Sequence, residues 1–336
     1  MSFWNTFNGP IYALAPMEDV TDTVFRQIIL KISDPQCLNV VFGEFTSTDG
    51  LCHPIGKDRV SHRLLISDTE RKILNDKNIK IVAQIWGHSP EIFAKATKLI
   101  NEEYKFDGID INMGCPVKKI VKQASCSELI RFPELAKEII LATKESSKIP
   151  ISVKTRTGIK FHETEKWIES LMSVSPAAIT LHARTQKMMS DYPADWEQLK
   201  VAKEVRDSID KNVPLIGNGD LVSMSQSNEM ITKYQIDGVM IGRGIFKNPW
   251  LFNNTQVSHS RIEKIELMKE HFTLFINTWG NDKGIAIMKK FFKIYTSEFF
   301  GAAELRGKLM ELNNSGDIIK LMDWELEKKV SEVLVN

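Results

Sequence analysis

The chain has 336 residues, of which 43% are hydrophobic and 26% are charged. This composition is close to the globular average and excludes a long disordered chain or a fibrous repeat. The 44 basic and 43 acidic residues leave a formal net charge of +1, which excludes a globally basic nucleic-acid-binding protein but not a local basic surface. The length predicts one α/β domain of about 250 residues with a smaller companion.

The four cysteines and the first residues indicate the compartment. The cysteines have neither CxxC spacing nor the density of a secreted disulfide scaffold, which predicts a reducing environment. The N-terminal residues lack the features of a signal peptide, and no run of 18 apolar residues occurs. We therefore expect a soluble cytoplasmic protein without a membrane span.

Short apolar runs rich in β-branched residues recur along the chain, and stretches with helical periodicity separate most of them. They predict strands at residues 11–16, 40–45, 79–85, 108–112, 151–155, 178–182, 214–218 and 238–242. The clearest helices are predicted at 21–31, 91–103, 133–146, 163–173, 196–209 and 224–234. The strands are apolar at successive positions, as expected when both faces of a sheet are covered. Eight strand–helix units predict a (β/α)₈ TIM barrel.

The pattern changes after Pro249. From Arg261 onward the sequence has helical periodicity and no convincing strand. We therefore predict a catalytic barrel domain at residues 1–250 and a small all-helical domain at residues 251–336.

In barrels of this type the chemistry lies at the carboxyl ends of the strands. Nearly every predicted strand delivers a polar or cationic side chain to that end. In chain order these are Glu18, Gln84, Asn112, Cys115, Lys154, Arg156, His182, Arg184, Asn218, Asp220 and Arg243. One such residue is ordinary, whereas this accumulation predicts a ligand-binding face.

The last two predicted strands end in NGD at 218–220 and GRG at 242–244. Strands 7 and 8 of such barrels commonly form a phosphate site from loop amides and a nearby helix start. Glycines let the backbone approach an anion closely, and Arg243 can add charge-assisted hydrogen bonds. The two ends together favour a phosphate site over glycines that merely turn the chain.

Three other side chains leave two interpretations open. Lys154 interrupts an apolar strand, so its ammonium either meets an electron-rich partner or snorkels from the strand end. His182 is either a ligand contact or a hydrogen-bonded barrel histidine. Cys115 is either a small buried hydrophobe or a functional thiol, and no Cys or His cluster accompanies it at metal-ligand spacing. An ordinary thiol is mostly protonated at neutral pH, so Cys115 is better placed to donate a proton than to attack.

Six segments in a fixed order carry a family resemblance. They read APMEDVTD at 15–22, NMGCP at 112–116, SVKTRTG at 152–158, HART at 182–185, NGD at 218–220 and VMIGRG at 239–244. Together they resemble the dihydrouridine synthases, which are flavoenzymes that reduce uridine in RNA. The match runs from about residue 11 to 252, with weaker similarity through 305–306. The cysteine motif and the motif at 152–158 are its most specific parts.

The resemblance implies FMN at the carboxyl end of the barrel, with NADPH as a transient reductant. It implies that Pro16, Met17 and Glu18 line the isoalloxazine ring, that Gln84 and Lys154 hydrogen-bond it with His182 nearby, and that Asn218, Gly219, Asp220, Gly242 and Arg243 hold the ribityl phosphate. It makes Cys115 the proton donor, and it makes Asn112, Arg156 and Arg184 contacts to the target nucleotide.

The implied reaction passes hydride from reduced flavin to carbon 6 of uracil, while a thiol on the opposite side of the ring protonates carbon 5. The target base must leave its stack to lie flat on the flavin. The family favours tRNA as substrate, with a monomeric enzyme and no metal. Three alternatives remain: the same chemistry on ribosomal RNA, a small-molecule flavin oxidoreductase resembling dihydroorotate dehydrogenase, and an RNA-binding homologue without catalysis. The helical tail favours RNA over a small molecule.

Two regions leave further alternatives. Cys126 stands where the family commonly has glycine, and its 11-residue separation from Cys115 permits either a disulfide or an ordinary packed thiol. In the helical tail, basic residues interleave with aromatic ones: Lys283, Lys289, Lys290, Phe291, Phe292, Lys293, Tyr295, Arg306 and Lys308. This pattern fits either an RNA-binding surface or a solvated helix face with an aromatic core side.

Overall fold

Parallel strands form the centre of the computed structural model, which describes residues 2–254, 258–280 and 282–333. The strands are β1 Ile11–Leu14, β2 Val40–Phe42, β3 Thr46–Ser47, β4 Lys80–Trp86, β5 Gly108–Met113, β6 Ile151–Arg156, β7 Ile179–His182, β8 Leu215–Asn218 and β9 Gly238–Ile241. β1 pairs with both β2 and β9, and β2 pairs with β4, so all of these strands except β3 close into a barrel. This closure confirms the predicted (β/α)₈ TIM barrel.

Helices cover the outside of the barrel and form the C-terminal part. They are α1 Thr23–Ile32, α2 Thr48–Cys52, α3 Pro54–Val60, α4 Asp68–Asp76, α5 Pro90–Glu103, α6 Lys118–Val121, α7 Pro133–Glu145, α8 Thr164–Met172, α9 Glu197–Asp210, α10 Met224–Tyr234, α11 Arg261–Trp279, α12 Ala286–Tyr295, α13 Ala302–Glu311 and α14 Ser315–Val333. The predicted helices correspond to α1, α5, α7, α8, α9 and α10. α2, α3, α4 and α6 escape prediction. α2, α3 and α6 have seven residues or fewer, too few for a sustained apolar period, and α4 carries only two apolar side chains, Ile73 and Leu74.

The second predicted strand is longer than the strand that forms. β2 ends at Phe42, and the N–H of Gly43 then donates to the carbonyl of Val82 at 3.0 Å. The chain returns to the sheet only as the two-residue β3, beside the end of β4. The other predicted strands agree with the observed ones to within two residues at each end.

A small apolar cluster, separate from the main core, fills part of the barrel interior. Trp4 is 2% exposed and belongs to this cluster, together with Ala13, Val82 and Met240 from three of the strands. Trp4 lies on a short turn before β1, and its ring lies 6.4 Å from that of Phe42. The interior is therefore apolar near the chain's start, and the polar residues of the strands are gathered elsewhere in the barrel.

A buried ion pair joins the first helix to the second strand–helix unit. Arg26 in α1 and Glu70 in α4 have fully buried side chains, and Nε of Arg26 lies 2.6 Å from Oε1 of Glu70. The guanidinium also donates to Oε2 of Glu70 at 3.0 Å and to the carbonyls of Thr21 and Leu65 at 2.5 and 2.8 Å. Thr23 donates to the same carboxylate. Both charges are thus paired and hydrogen-bonded, as burial requires.

One carboxylate joins the C-terminal helices to the start of α1. Oδ1 of Asp22 accepts from the N–H groups of Val24 and Phe25 and so caps α1. Its Oδ2 accepts from the indole of Trp279 at 2.8 Å and from the ammonium of Lys283 at 3.2 Å.

From Arg261 to Val333, the described residues form helices α11 to α14 and no strand. The prediction that one domain ends at residue 250 and another begins at 251 stays a prediction. Within the described ranges, no helix is both long and apolar enough to cross a membrane.

Candidate active site

A cavity of about 580 Å³ opens at the carboxyl ends of the barrel strands. Most of the predicted site residues line it: Pro16, Met17, Lys154, His182, Arg184, Asn218, Gly219, Asp220, Gly242 and Arg243. The other predicted residues do not line this cavity: Gln84 and Asn112 lie in the carboxyl-terminal halves of β4 and β5, Arg156 ends β6, and Glu18 and Cys115 follow β1 and β5. Glu18 forms an ion pair with Arg63 at 2.8 Å.

Lys154 and His182 lie on adjacent strands inside this cavity. The ammonium of Lys154 donates to Oδ1 of Asn218 at 3.0 Å, and the Asn218 amide donates to the carbonyl of Met240 at 2.8 Å. Burial, with the nearby charge of Arg156, lowers the pKa of Lys154 to about 8. Burial and the surrounding cations also hold the pKa of His182 well below its usual value, so the imidazole is neutral.

The protonation of His182 follows from its partner. Nη1 of Arg184 lies 3.0 Å from Nε2 of His182. An arginine can only donate hydrogen bonds, so Nε2 accepts and the ring proton resides on Nδ1. The imidazole therefore presents a fixed tautomer.

Near the ends of β8 and β9, the cavity is lined by arginine side chains and by glycine backbone, which has no side chain to cover it. Nη2 of Arg184 donates to both carboxylate oxygens of Asp220, at 2.6 and 2.5 Å. The positive charge of Arg184 therefore balances the negative charge of Asp220. Arg243 remains 61% exposed, and its nearest contact to Asp220 is 3.8 Å. Gly219 has φ +141°, and a Cβ there would lie 2.6 Å from that of Ala194. This end is suited to an anion such as a phosphate.

A row of polar side chains crosses three neighbouring strands. Asp110 lies opposite Gln84 on β4 and opposite Ser152 on β6. Its carboxylate accepts from the Gln84 amide and from the Ser152 hydroxyl, each at 2.7 Å. Gln84 in turn accepts from the Asn112 amide at 2.9 Å. Oδ1 of Asn112 accepts from the Cys115 N–H at 3.0 Å, so the row connects the barrel interior with the cysteine loop.

Asp110 is a site residue that the sequence reasoning missed. Its only signal is an acid within the apolar segment GIDIN at 108–112. The residue is fully buried, and burial raises its pKa to about 6, although the hydrogen bonds from Ser152 and Gln84 oppose the rise.

Asp110→Asn is expected to reverse part of the pH dependence of stability. A carboxyl group whose pKa is raised in the fold binds more protons there than in the unfolded chain, so wild-type stability falls as the pH rises between about 4 and 6. Asparagine does not ionise; its amide oxygen can accept from Gln84, and its amide nitrogen can donate to the Ser152 hydroxyl in place of the bond that it accepted. As the pH rises from 4 to 7, the free energy of unfolding of the variant should increase, relative to that of the wild type, by on the order of 2–3 kcal/mol. Urea unfolding across this range measures the gain. The exposed Asp191→Asn is the control, and equal slopes for all three proteins would contradict the expectation.

The loop that carries Cys115 is held from two sides. Nε of Arg156 donates to the carbonyl of Gly114 at 2.7 Å, and its Nη1 donates to two carbonyls of the loop that follows β7. The hydroxyl of Ser127 donates to the carbonyl of Cys115 at 2.7 Å, and the Ser127 N–H approaches the same oxygen at 3.3 Å. The position of the thiol is therefore set by three segments of the chain.

The thiol of Cys115 is half-buried and meets the buried thiol of Cys126. A hydrogen bond from Cys126 lowers the pKa of Cys115 to about 7, with a smaller contribution from the N–H of Val117, while burial opposes both. Burial raises the pKa of Cys126 well above its usual value. Both cysteines are free thiols in the structure, so the packed-thiol interpretation of Cys126 describes this state.

Three aromatic residues that interleave with the basic residues of the helical tail belong to its packed core. Phe291, Phe292 and Tyr295 are at most 2% exposed. Lys283 stacks over the ring of Trp279 at 4.0 Å as well as pairing with Asp22. The aromatic half of the pattern is therefore the core side of a helix. Among the ranges that the structure describes, no group of three or more His, Cys, Asp or Glu is placed to hold a metal ion.

Comparison with known proteins identifies the family. The family model described as "Dihydrouridine synthase (Dus)" matches residues 13–331. A protein of Staphylococcus aureus (strain COL) named "Probable tRNA-dihydrouridine synthase" is 40% identical over 334 residues, covering 98% of this chain and 97% of that protein. A protein of Bacillus subtilis (strain 168) named "Probable tRNA-dihydrouridine synthase 2" is 37% identical over 331 residues, covering 98% of this chain and 97% of that protein.

Among solved structures, a 2-naphthoyl-CoA reductase bound to 2-naphthoyl-CoA has a TM-score of 0.50 at 12% identity, covering 72% of this chain and 49% of that one. This likeness concerns the barrel fold alone. The match of the family model over nearly the whole length, together with the two relatives, shows that the chain belongs to the dihydrouridine synthase family.

Proposed function

We propose that the protein is an FMN-dependent tRNA-dihydrouridine synthase that uses NADPH to reduce a specific uridine to 5,6-dihydrouridine. The observation that carries the proposal is a free thiol with a lowered pKa at the same barrel end as a cavity rich in cations. The names of the relatives support tRNA as the substrate, and ribosomal RNA is the alternative that the experiment below decides.

The cavity fits FMN in size and in the chemistry of its lining. Pockets of roughly 300–1,000 Å³ suit ligands of this size, and the cavity measures about 580 Å³. In our proposal Asn218, Gly219, Asp220, Gly242 and Arg243 hold the phosphate end. The exposed guanidinium of Arg243 supplies charge, while the glycines admit the phosphate close to the backbone.

The remaining cofactor contacts would surround the flavin ring. Pro16 and Met17 would line it, Lys154 would hydrogen-bond it and His182 would lie near it, all from the cavity lining. Glu18 and Gln84, which lie outside that lining, would complete the set that the family resemblance implies. Bound FMN, once reduced by NADPH, supplies the hydride for carbon 6 of uracil. The neutral His182 adds no charge there, and the ammonium of Lys154 supplies the positive charge that stabilises an electron-rich ring.

Cys115 donates the proton in this proposal. The double bond between carbons 5 and 6 of uracil gains a hydride and a proton, and the thiol gives the proton to carbon 5 and becomes a thiolate. A thiolate with a pKa of about 7 regains its proton from water near neutral pH. The hydrogen bond from Cys126 stabilises the thiolate in the meantime. The donating form is lost as the pH rises through this pKa, so the proton-transfer step slows above neutrality.

Asn112, Arg156 and Arg184 are the proposed contacts to the target nucleotide. Their internal hydrogen bonds give them a second role, because they hold the loops on which Cys115 and Asp220 lie. Nη2 of Arg156 has no hydrogen-bond partner among the described residues, and this donor remains for the substrate. The helical part is proposed to bind the RNA outside the active site, in a monomeric enzyme without a metal.

The purified protein should be yellow, should lose its flavin absorbance on anaerobic addition of NADPH, and should form dihydrouridine in unmodified tRNA. Lys154→Met should lose bound FMN on gel filtration, because the variant lacks a charged contact in the cavity. Lys166→Met, in an exposed position on α8, should keep the flavin.

A colourless protein that takes up no added FMN would contradict the proposal. Dihydrouridine in ribosomal RNA but not in tRNA would overturn the substrate and retain the chemistry.

A further inference from the structure

The segment Ser125-Cys126-Ser127 places a second thiol directly against Cys115, a position that the proposed reaction does not require. Cys126 is 0% exposed, and its thiol is the main cause of the lowered pKa of Cys115. The two sulfurs are therefore neighbours in the folded protein, and the hydrogen bonds of Ser127 to the Cys115 carbonyl keep the segments together.

The backbone around Cys126 is fixed in an uncommon conformation. Cys126 has φ +55° and Ala124 has φ +52°, both in the left-handed region that favours glycine. Cys126 begins a short 3₁₀ helix that ends at Arg131, whereas Cys115 lies on the loop after β5. A covalent bond between them would thus join the loop after β5 to the start of this 3₁₀ helix and close a short segment that contains α6.

The two thiols differ in the properties that control oxidation. Cys115 is half-buried and has a pKa of about 7, so a large fraction is thiolate at neutral pH. Cys126 is buried and stays protonated, because burial holds its pKa well above the ordinary value. Cys37 is buried with a pKa raised to about 11, and burial also raises the pKa of Cys52. Cys115 is thus the thiol that an oxidant attacks first.

We propose that Cys115 and Cys126 form a reversible intramolecular disulfide when the protein meets a hydroperoxide, so that Cys115 is a redox modification site and Cys126 is its resolving partner. The Cys115 thiolate attacks one oxygen of hydrogen peroxide, the O–O bond breaks, and a sulfenic acid forms with release of hydroxide. The Cys126 sulfur then attacks the Cys115 sulfur, and the hydroxyl leaves as water with the Cys126 proton. In sum, two thiols and one peroxide give one disulfide and two waters. A dithiol reductant reverses the bond by exchange.

The consequence for activity rests on the proposed function, whereas the modification itself does not. A disulfide removes the proton that Cys115 is proposed to donate, so RNA reduction stops while reduction of the bound flavin by NADPH continues. A buried partner in contact also protects the enzyme, because disulfide formation intercepts the sulfenic acid before a second peroxide converts it irreversibly to sulfinic acid.

Peptide mapping after peroxide treatment tests the proposal without an activity assay. Lys118, Lys119 and Lys122 separate the two cysteines, so trypsin releases them on the peptides 106–118 and 123–131. After treatment of the full-length protein with equimolar hydrogen peroxide and alkylation of the remaining thiols, we expect these two peptides to be linked. The count of free thiols should fall from four to two, and dithiothreitol should restore it.

Variants separate the pair from the other cysteines. Cys126→Ser should yield no linked peptides, and with more than two equivalents of peroxide it should carry irreversible sulfinic acid at Cys115. Cys126→Ala should behave alike if the serine disturbs the buried site. Cys52→Ser is the matched control and should form the link as wild type does.

Retention of all four thiols at equimolar peroxide, or sulfinic acid at Cys115 of the wild type without the linked peptides, would overturn the proposal. A linked pair in a protein that does not reduce tRNA would keep this inference and contradict the proposed function instead.

Discussion

Cys115→Ala is expected to slow dihydrouridine formation roughly 10²- to 10⁴-fold, the usual contribution of a positioned general acid. Reduction of the bound flavin by NADPH should proceed at the wild-type rate, because the thiol lies outside the cavity lining and its removal leaves Lys154 and Arg243 in place. Single-turnover measurements separate the steps: stopped-flow absorbance follows flavin reduction, and quantification of dihydrouridine in tRNA follows product formation.

The control for this variant is Cys52→Ala, which alters a half-buried thiol remote from the cavity. It should retain both rates. Product formation by Cys115→Ala at the wild-type rate would remove the proton-donor role. An equal loss in both steps would instead indicate that the variant disturbs the cofactor site.

Arg26→Met is expected to destabilise the fold by about 3–5 kcal/mol, because it leaves the fully buried carboxylate of Glu70 without its partner. The variant also leaves the carbonyls of Thr21 and Leu65 without the hydrogen bonds that they accept from the guanidinium. Burial already raises the pKa of Glu70, and the Arg26 charge opposes that rise. Without the guanidinium the carboxyl group should take up a proton, so the loss of stability should be larger at pH 8 than at pH 5.

The double variant Arg26→Met with Glu70→Leu tests the cause of this loss. It removes both charges and should recover much of the stability, since apolar replacement of a whole buried pair is often close to neutral. Lys203→Met breaks a solvent-exposed pair with Asp207 and should cost less than about 1 kcal/mol. Urea denaturation measures all three variants. A double variant as unstable as Arg26→Met would show that the paired charges are not the source of the effect.

The barrel was predictable because its strands are buried on both faces and therefore apolar at consecutive positions. The same property exposed the polar residues: Lys154 interrupts an apolar strand, and Asn218 and Arg243 stand where strands end. The cavity lining draws these residues together from β6, β8 and the segment after β9. The second strand ends early, at Phe42, where Gly43 and Glu44 interrupt the apolar run before Phe45; this signal was present in the sequence, and the predicted strand passed over it.

Contacts between neighbouring strands and between loops could not be predicted from the sequence. Asp110 acts through its register opposite Gln84 and Ser152, and these partners lie 26 and 42 residues away along the chain, so the pattern within its own strand does not identify them. The meeting of Cys115 and Cys126 depends on the path of an irregular segment with two left-handed residues. Such a path follows no periodicity. The resemblance to the family supplied the cofactor and substrate roles, which geometry alone would have left open.

The two oxygens of Asp22 have a consequence for motion. One oxygen caps α1, and the other accepts hydrogen bonds from Trp279 and Lys283. If the C-terminal helices moved away from α1, these two hydrogen bonds would break, and a carboxylate that is only 7% exposed would lose its partners. Such a hinge is costly. Movement near the cavity that keeps these bonds therefore belongs to the surrounding loops, while the C-terminal helices stay fixed relative to α1.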